Sequence, residues 1–456
     1  MRHHKLTLIL ACLAQFMVIV DLAIVNVALP TIQEQLRMSQ SSLQWIVVAY
    51  GLLFGGFLLL GGRLGDLLGR RKILVTGLGV FTLASLAAGL ANSAELLIIA
   101  RAVQGLGAAL IAPSALSIVA NTFTEGKERN AALGIFGATG GLAGTVGVLG
   151  GGLLTDGPGW EWIFLVNVPI GIVLIGLALK HLPSDIVDKG MHRFNAGAAV
   201  TVTAGLMALV YGLTHGAEGG WDSPITLGSF LASILLLLTF VFIELRSRAP
   251  LVHFEIFKNR HSAGAMFAGF FGFGALFAFI FTSSLFMQHQ LHYSPTHTGV
   301  AWLASTLTAF MFAMLTGSKL ITKFSPRSLL ASGLLSLLLA ALWMIRMPAE
   351  ATFVIDVLPA LLLAGIGGGI IGPVVQISAL TGVQPKRFGL LSGMIETMRE
   401  IGSVMVIAIV STMLAIRTSS LDGFHAGYLV IATSALLGLG IVAITFRKRH
   451  ADAKAL

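Results

Sequence analysis

The chain has 456 residues, 56% of them hydrophobic and only 11% charged, with a mean hydropathy of +0.89. A soluble domain carries about 25% charged residues, so a soluble enzyme is excluded and a chain that crosses a membrane many times is expected. The formal charge of +9 names no partner until its distribution is known, and one cysteine, Cys12, leaves no intramolecular disulfide and no cysteine-based metal site.

A transmembrane helix needs about 20 apolar residues. Runs of that kind fall at 5–30, 43–62, 73–91, 95–121, 130–155, 163–182, 195–214, 225–245, 262–288, 297–319, 328–346, 353–379, 388–415 and 425–446, fourteen in all. The first follows Arg2 and Lys5 in the manner of a signal peptide, but it is too long for one and lacks a small-residue cleavage site, so it is read as a retained helix. With both termini cytoplasmic, twenty-four of the 29 Lys and Arg lie on inner segments, among them Arg63, Arg70, Arg71, Lys72, Arg246, Arg248, Lys258, Arg260 and Arg447 to Arg449. Three lie outside, Arg37, Arg346 and Arg417, and two, Arg101 and Arg399, fall within spans. The positive charge is therefore topology, and no nucleic acid is needed to explain it.

The longest inner connections, 183–194 and 246–261, flank spans seven and eight, which makes that pair look like an insert between two six-helix halves. The halves carry an internal repeat. Span four has Gly105 and Gly107 followed by Pro113, and span twelve has Gly365 and Gly367 followed by Pro373 at the same spacing. The expected architecture is all-α and integral to the membrane: an N-terminal bundle over 1–182, a central hairpin with cytoplasmic linkers over 183–250 and a C-terminal bundle over 251–456.

Within this frame the loop expected after span two, Gly62 to Lys72, is the most specific feature. Gly62, Gly65 and Gly69 allow close approach and tight turning, Arg63, Arg70 and Arg71 hold the inner side, and Asp66 offers a carboxylate at a helix end. A charge anchor alone would need neither Asp66 nor the glycines, so a conformational switch is expected here.

Five stretches are distinctive together: Asp21 to Pro30, which includes Asn26; Trp45 to Tyr50; Gly62 to Lys72; Arg101 through Gln104, Gly105 and Gly107 to Pro113; and Trp160 to Gly171, with Asn167 and Pro169 inside it. On these the chain resembles the major facilitator superfamily, specifically its fourteen-span drug:proton antiporter branch, over essentially its whole length. The resemblance implies export of amphipathic compounds against proton entry by alternating access of two bundles. In span five the family's G-P-x-x-G-G motif reads Gly147 to Gly152, with Val148 in place of proline and Gly151 and Gly152 closing it. Glu161 stands where the family usually has arginine.

Charges inside a bilayer are costly, so each is a functional candidate. Asp21 and Arg101 have similar depths, which permits a pair. That pair is either a permanent bridge pinning two helices or a working site, in which Asp21 gains a proton and releases Arg101 or helps bind a cationic substrate. In span thirteen Glu396, Arg399 and Glu400 share one helical face, either as a proton or cation site on the cavity or as a gate at its mouth. Asn26, Trp45, Tyr50, Gln104, Met394 and Met398 are candidate cavity residues, and Gly105, Gly107, Pro113, Gly147, Gly151 and Gly152 are helix-packing positions. Eight phenylalanines from Phe267 to Phe286 are read as packing or lipid contacts, Met311, Met314 and Met405 as core, and His289, His292, Tyr293 and His297 as an outer loop.

No phosphate-binding loop, HExxH, GxSxG or dinucleotide fingerprint occurs. The expectation is a secondary transporter and not an enzyme, without cofactor or metal, driven by the proton gradient, monomeric and surrounded by lipid in the inner or plasma membrane. Its partners would be amphipathic small molecules and protons. The alternatives are an exporter dedicated to one metabolite, lipid or anionic natural product that uses Arg101 and Arg399 as ligands, and a transporter-like sensor that moves nothing.

Overall fold

The backbone of a lipid-exposed segment must satisfy its own hydrogen bonds, which leaves the helix as the form a long apolar run can take. The computed structural model describes residues 2–38, 40–183, 196–247, 252, 260–348, 351–416 and 420–446, and among them it contains helices and no strand. Fourteen helices are long and apolar enough to span: α1 (His4–Val25), α2 (Trp45–Leu68), α3 (Arg70–Gly89), α4 (Ala94–Thr122), α5 (Lys127–Asp156), α6 (Trp162–His181), α7 (Gly197–Ala217), α8 (Pro224–Arg246), α9 (Arg260–His289), α10 (Thr296–Lys323), α11 (Pro326–Ile345), α12 (Phe353–Leu380), α13 (Phe388–Leu414) and α14 (Leu421–Thr445). Arg248, Arg417, Lys258 and Arg447 to Arg449 lie outside the described residues, as does most of both linkers around the central hairpin.

The helix carrying α1 runs beyond the expected boundary to Gln35. A larger difference concerns Gly62 to Lys72, which is not a loop. Residues to Leu68 form the last turns of α2, Gly69 alone makes the turn with φ of 100°, and α3 begins at Arg70. The left-handed φ explains the glycine at 69. Gly62 and Gly65 sit within α2 and serve packing instead. The last turns of α10 are interrupted by one π turn at Thr316–Leu320.

Small residues let the helices of each half approach. A Cβ on Gly105 of α4 would strike the Tyr50 carbonyl of α2, and one on Gly107 would lie 2.7 Å from the Phe81 amide nitrogen of α3. In the second half Gly365 meets the Ser305 carbonyl of α10 in the same way, and Gly367 stands against Gly333 of α11. Gly147 of α5 lies on Val20 and Ala23 of α1, and Gly402 of α13 lies on Phe270 of α9. The repeated glycines thus mark the same helix crossings in two pseudo-symmetric bundles, α1–α6 and α9–α14. Pro113 is buried inside α4 as Pro373 is inside α12.

Two seams join the bundles. Gly62 of α2 abuts Gly389 and Gly393 of α13, and Gly317 of α10 abuts Gly134 of α5. Each pairing is the image of the other across the pseudo-twofold axis. The α7–α8 hairpin lies against the first seam. Gly56 of α2 packs on Met207 and on the Thr203 carbonyl, Gly55 touches Val210, and Trp221 Nε1 donates to Thr412 Oγ1 of α13 at 2.7 Å. Its outer helix, α8, turns Ile225, Leu231, Ile234 and Leu238 outward, as a lipid-facing surface requires.

Candidate functional site

The first polar centre is built by five helices of the N-terminal bundle. Asp21 of α1 is completely buried, and its carboxylate accepts from Arg101 Nη1 at 2.5 Å, Gln104 Nε2 at 2.7 Å and Asn167 Nδ2 at 2.9 Å. Arg101 Nη1 also donates to Gln104 Oε1 and its Nε to the Ile46 carbonyl, while Gln104 Nε2 reaches Ser85 Oγ. The guanidinium lies over the Tyr50 ring, 4.3 Å from its centroid, and 5.7 Å from that of Phe164. A buried charge pair survives where hydrogen bonds satisfy its remaining sites, and this network does so with contributions from α1, α2, α3, α4 and α6. Gln104 holds the pair together by accepting from the cation and donating to the anion.

The second centre is on α13 and is arranged differently. Gly393 faces the Leu58 carbonyl of α2, and Glu400 Cγ lies 3.5 Å from where a Gly55 Cβ would stand. Positions 393, 396 and 400 repeat at helical spacing, so Glu396 faces the same seam. Arg399 Nη2 stands 2.5 Å from Glu396 Oε2 as an ion pair rather than an aligned hydrogen bond, and Glu396 Oε1 has no hydrogen-bond partner. Glu400 and Arg399 are half-buried, and Glu400 makes no ion pair or hydrogen bond among the described residues. Tyr50, whose ring lies against Arg101 in the first centre, has a buried hydroxyl with no hydrogen-bond partner. On α5, the pseudo-symmetric helix, Gly141, Gly144 and Thr145 occupy the corresponding places, and Thr145 meets Thr306 of α10 hydroxyl to hydroxyl.

A third group closes one end of the α2–α13 seam. Asp66 accepts from the backbone amides of Gly389 at 2.9 Å and Leu390 at 2.8 Å, the free donors at the start of α13. Arg70 Nη2 pairs with Asp66 at 3.1 Å and donates to the Pro385 carbonyl at 2.5 Å. Arg71 donates to the Leu179 carbonyl of α6, and Arg63 of α2 is buried. Next to this latch, Gly382 donates its amide to Glu125 at 3.0 Å, and the Arg129 guanidinium lies 5.0 Å from the Phe388 ring centroid.

The pattern described as Major Facilitator Superfamily matches residues 11–407 and 265–455. The chain belongs to that superfamily. Its relatives include the puromycin resistance protein pur8 of Streptomyces alboniger, 34% identical over 89% of this chain and 81% of the relative. The cephamycin export protein CmcT of Amycolatopsis lactamdurans is 35% identical over 90% and 85%, and the methylenomycin A resistance protein of Streptomyces coelicolor 32% over 92% and 88%. Among solved structures the human organic anion transporter MFSD10 superposes with a TM-score of 0.71 at 14% identity, over 96% of this chain and 99% of that one, which establishes a common fold. The protein is thus a multi-pass membrane transporter of the major facilitator superfamily, related to drug and antibiotic exporters, and not an enzyme.

Within this facilitator the remaining candidate residues divide. Met394 is buried and Met398 half-buried on the seam helix, whereas Met311 and Met314 turn outward on α10, away from the core expected for them. Trp45 is 39% exposed and stacks on Tyr211 of the hairpin at 6.0 Å. The side chain of Asn26 lies outside the described residues. Gly152 lies near Thr296 at the far end of the α5–α10 seam, and Gly151 is buried. Of the phenylalanines on α9, Phe279 and Phe286 are core and Phe267 and Phe277 face outward. Tyr293 stacks on His297 at 4.0 Å. No group of three or more His, Cys, Asp or Glu gathers as a metal site among the described residues. Sequence reasoning missed Ser85 and Asn167 as members of the Asp21 network and Glu125 and Arg129 as a second contact between bundles. Asn167 carried a signal, a lone amide in an apolar run, whereas Ser85 carried none.

Proposed function

We propose that this facilitator is a proton-coupled antiporter that exports amphipathic, drug-like compounds, cationic or neutral, by alternating access between bundles 1–182 and 251–456, with 183–250 as the added hairpin. The observation that carries the reading is the α13 face, where Glu396 and the unpaired Glu400 stand on the seam between bundles while Asp21 is satisfied inside one of them. A carboxylate on the seam can hold a proton or a cationic ligand but not both at full strength, and competition of that kind couples two fluxes. Asp21 would join the cycle when a proton on it frees Arg101 and loosens five helices.

The latch at Asp66 is read as a cytoplasmic gate, with both termini in the cytoplasm and the protein in the inner or plasma membrane. Substrate would sit between the bundles near the midplane, lined from α2 by Trp45 and Tyr50 and from α13 by Met394 and Met398, with lipid around a monomer and the proton gradient as sole energy source. The names of several relatives suggest a second reading, an exporter dedicated to one natural product. Arg399, half-buried on the seam, favours it for an anionic compound, whereas Arg101 has its Nε and Nη1 committed within the bundle.

Transport of a lipophilic cation into proteoliposomes under an imposed proton gradient tests the proposal, with Asp21→Asn, Glu396→Gln and Glu400→Gln compared with the native chain. Native uptake that follows the gradient, and a carboxylate variant that binds the cation without coupling, are the expected results. A folded native protein that moves no cation but carries an anionic compound would replace this reading with the dedicated exporter, and one that binds ligand without flux would make it a sensor.

A further inference from the structure

The α7–α8 hairpin touches α2 along only part of its length. Nearer the Asp66 latch, Gly56 packs on Met207 and Gly55 touches Val210. Within the hairpin the two helices are pressed together where Gly212 meets the Phe230 ring and Gly216 meets Trp221. Away from the latch a groove of about 410 Å³ opens between Leu52 of α2, Met207 and Tyr211 of α7, and Gly228 and Ala232 of α8. A Cβ added to Gly228, or to Gly51 beside Leu52, would meet nothing within 4 Å. The groove is as large as small-molecule sites, which run from about 300 to 1,000 Å³.

Its position in the bilayer limits what can fill it. Ile225 on its rim is 53% exposed and neighbouring Leu231 58%, so the mouth faces hydrocarbon, and a wall this apolar offers water too few partners. Pro224, also on the rim, is the first residue of the α8 span as Trp45 is of the α2 span. From Ile225 to Ala232 the helix rises about 10 Å, against about 15 Å for the hydrocarbon of one leaflet. The groove therefore starts at the membrane surface and runs most of the way to the midplane, which is the course of a lipid tail. Its wall carries no charge to pair with an ionic headgroup. Of its two hydroxyls, that of Ser229 donates to the Ile225 carbonyl at 2.7 Å. Tyr211 stacks on Trp45 at 6.0 Å and on His215 at 5.7 Å, and its hydroxyl has no hydrogen-bond partner among the described residues. A tyrosine near the membrane surface presents an apolar ring to the tails and a donor to the polar layer above them, where glycerolipids carry their ester carbonyls.

We propose that this groove is a binding site for one acyl chain of a glycerolipid in the leaflet away from the Asp66 latch, the outer leaflet in the proposed topology, with Tyr211 donating to an ester carbonyl of the same lipid. The chain fills the gap that α2 and α8 leave between them and joins the hairpin to the N-terminal bundle. The site goes beyond the transport reading and stands whichever compound is carried. One net hydrogen bond, together with contacts on three walls, favours this lipid over those that merely surround the protein by about fivefold.

The test uses the purified full chain in nanodiscs of phosphatidylcholine, a fraction of which carries a photoreactive diazirine in its acyl chain, with adducts mapped by mass spectrometry after illumination. Adducts are expected on Met207 and Tyr211 in about fivefold excess over Ile234 and Leu238, which lie on the exposed face of the same hairpin. Gly228→Leu and Ala232→Leu fill the groove from exposed positions and should abolish the excess, and Tyr211→Phe should reduce it at Met207. Leu238→Phe, outside the groove, should leave it unchanged, and thermal unfolding confirms that each variant is folded. Adducts spread evenly over the hairpin in the native protein, or an excess that survives both filling variants, overturn the proposal. So does displacement of the excess by a lipophilic cation, which would give the groove to substrate. Disulfide-linked dimers of Gly228→Cys in a Cys12→Ser background, formed in place of the adducts, would give it to a second copy of the chain.

Discussion

Replacing Asp66 by alanine tests the closure of the α2–α13 seam. The carboxylate takes the amides of Gly389 and Leu390 and the guanidinium of Arg70, and the amides belong to a helix start with no other intrahelical acceptor. In a state where the seam opens, water can take both amides, so their loss weighs on the closed state alone. Two charge-assisted bonds at about 1.5 kcal/mol each shift the equilibrium by about 3 kcal/mol, close to a hundredfold in population. Asp66→Asn retains one acceptor oxygen and is expected to shift it by about half that free energy. Ser392, completely buried one turn beyond the capped amides, gives the readout as Ser392→Cys in a Cys12→Ser background. Its labelling by a membrane-impermeant maleimide, in vesicles with the proposed cytoplasmic face outward, should accelerate toward a hundredfold in Asp66→Ala and less in Asp66→Asn. Labelling within twofold of the parent in both variants would refute the assignment of Asp66 as the latch.

Other expectations follow from the packing. Asp21→Ala leaves Arg101, 1% exposed, without its countercharge and should cost about 3–5 kcal/mol, whereas Asp21→Leu combined with Arg101→Met should cost much less; thermal unfolding in detergent decides, and a single-variant cost below about 1 kcal/mol would contradict the pair's role. Gly105→Ala drives a methyl into the Tyr50 carbonyl and should destabilise by about 1–3 kcal/mol, but Gly372→Ala, with open space around its Cβ, should be neutral or gain up to about 1 kcal/mol in helix propensity. Trp221→Phe removes the bond to Thr412 and should speed hydrogen exchange in the α7–α8 hairpin while leaving Ser392→Cys labelling in the Asp66 parent unchanged; faster labelling there would show that the hairpin itself holds the seam shut.

The fourteen spans were legible in the sequence because a bilayer demands long apolar runs, and the charges within them stood out for the same reason. The duplication was legible too, since Gly105 and Gly107 recur with Pro113 as Gly365 and Gly367 recur with Pro373 wherever backbones must touch. Local pattern failed at Gly62 to Lys72, where glycine and charge density read as a loop. Gly62 is there because α13 crosses α2 at that point, and a contact between residues more than three hundred positions apart leaves no local mark. Tertiary structure alone decided that Asp21 is sealed within one bundle while Glu396 and Glu400 face the other. Depth along a helix follows from counting residues, but azimuth matters only relative to a neighbour, and the neighbour is set by packing. The placement of the hairpin against the α2–α13 seam belongs to that second kind of information.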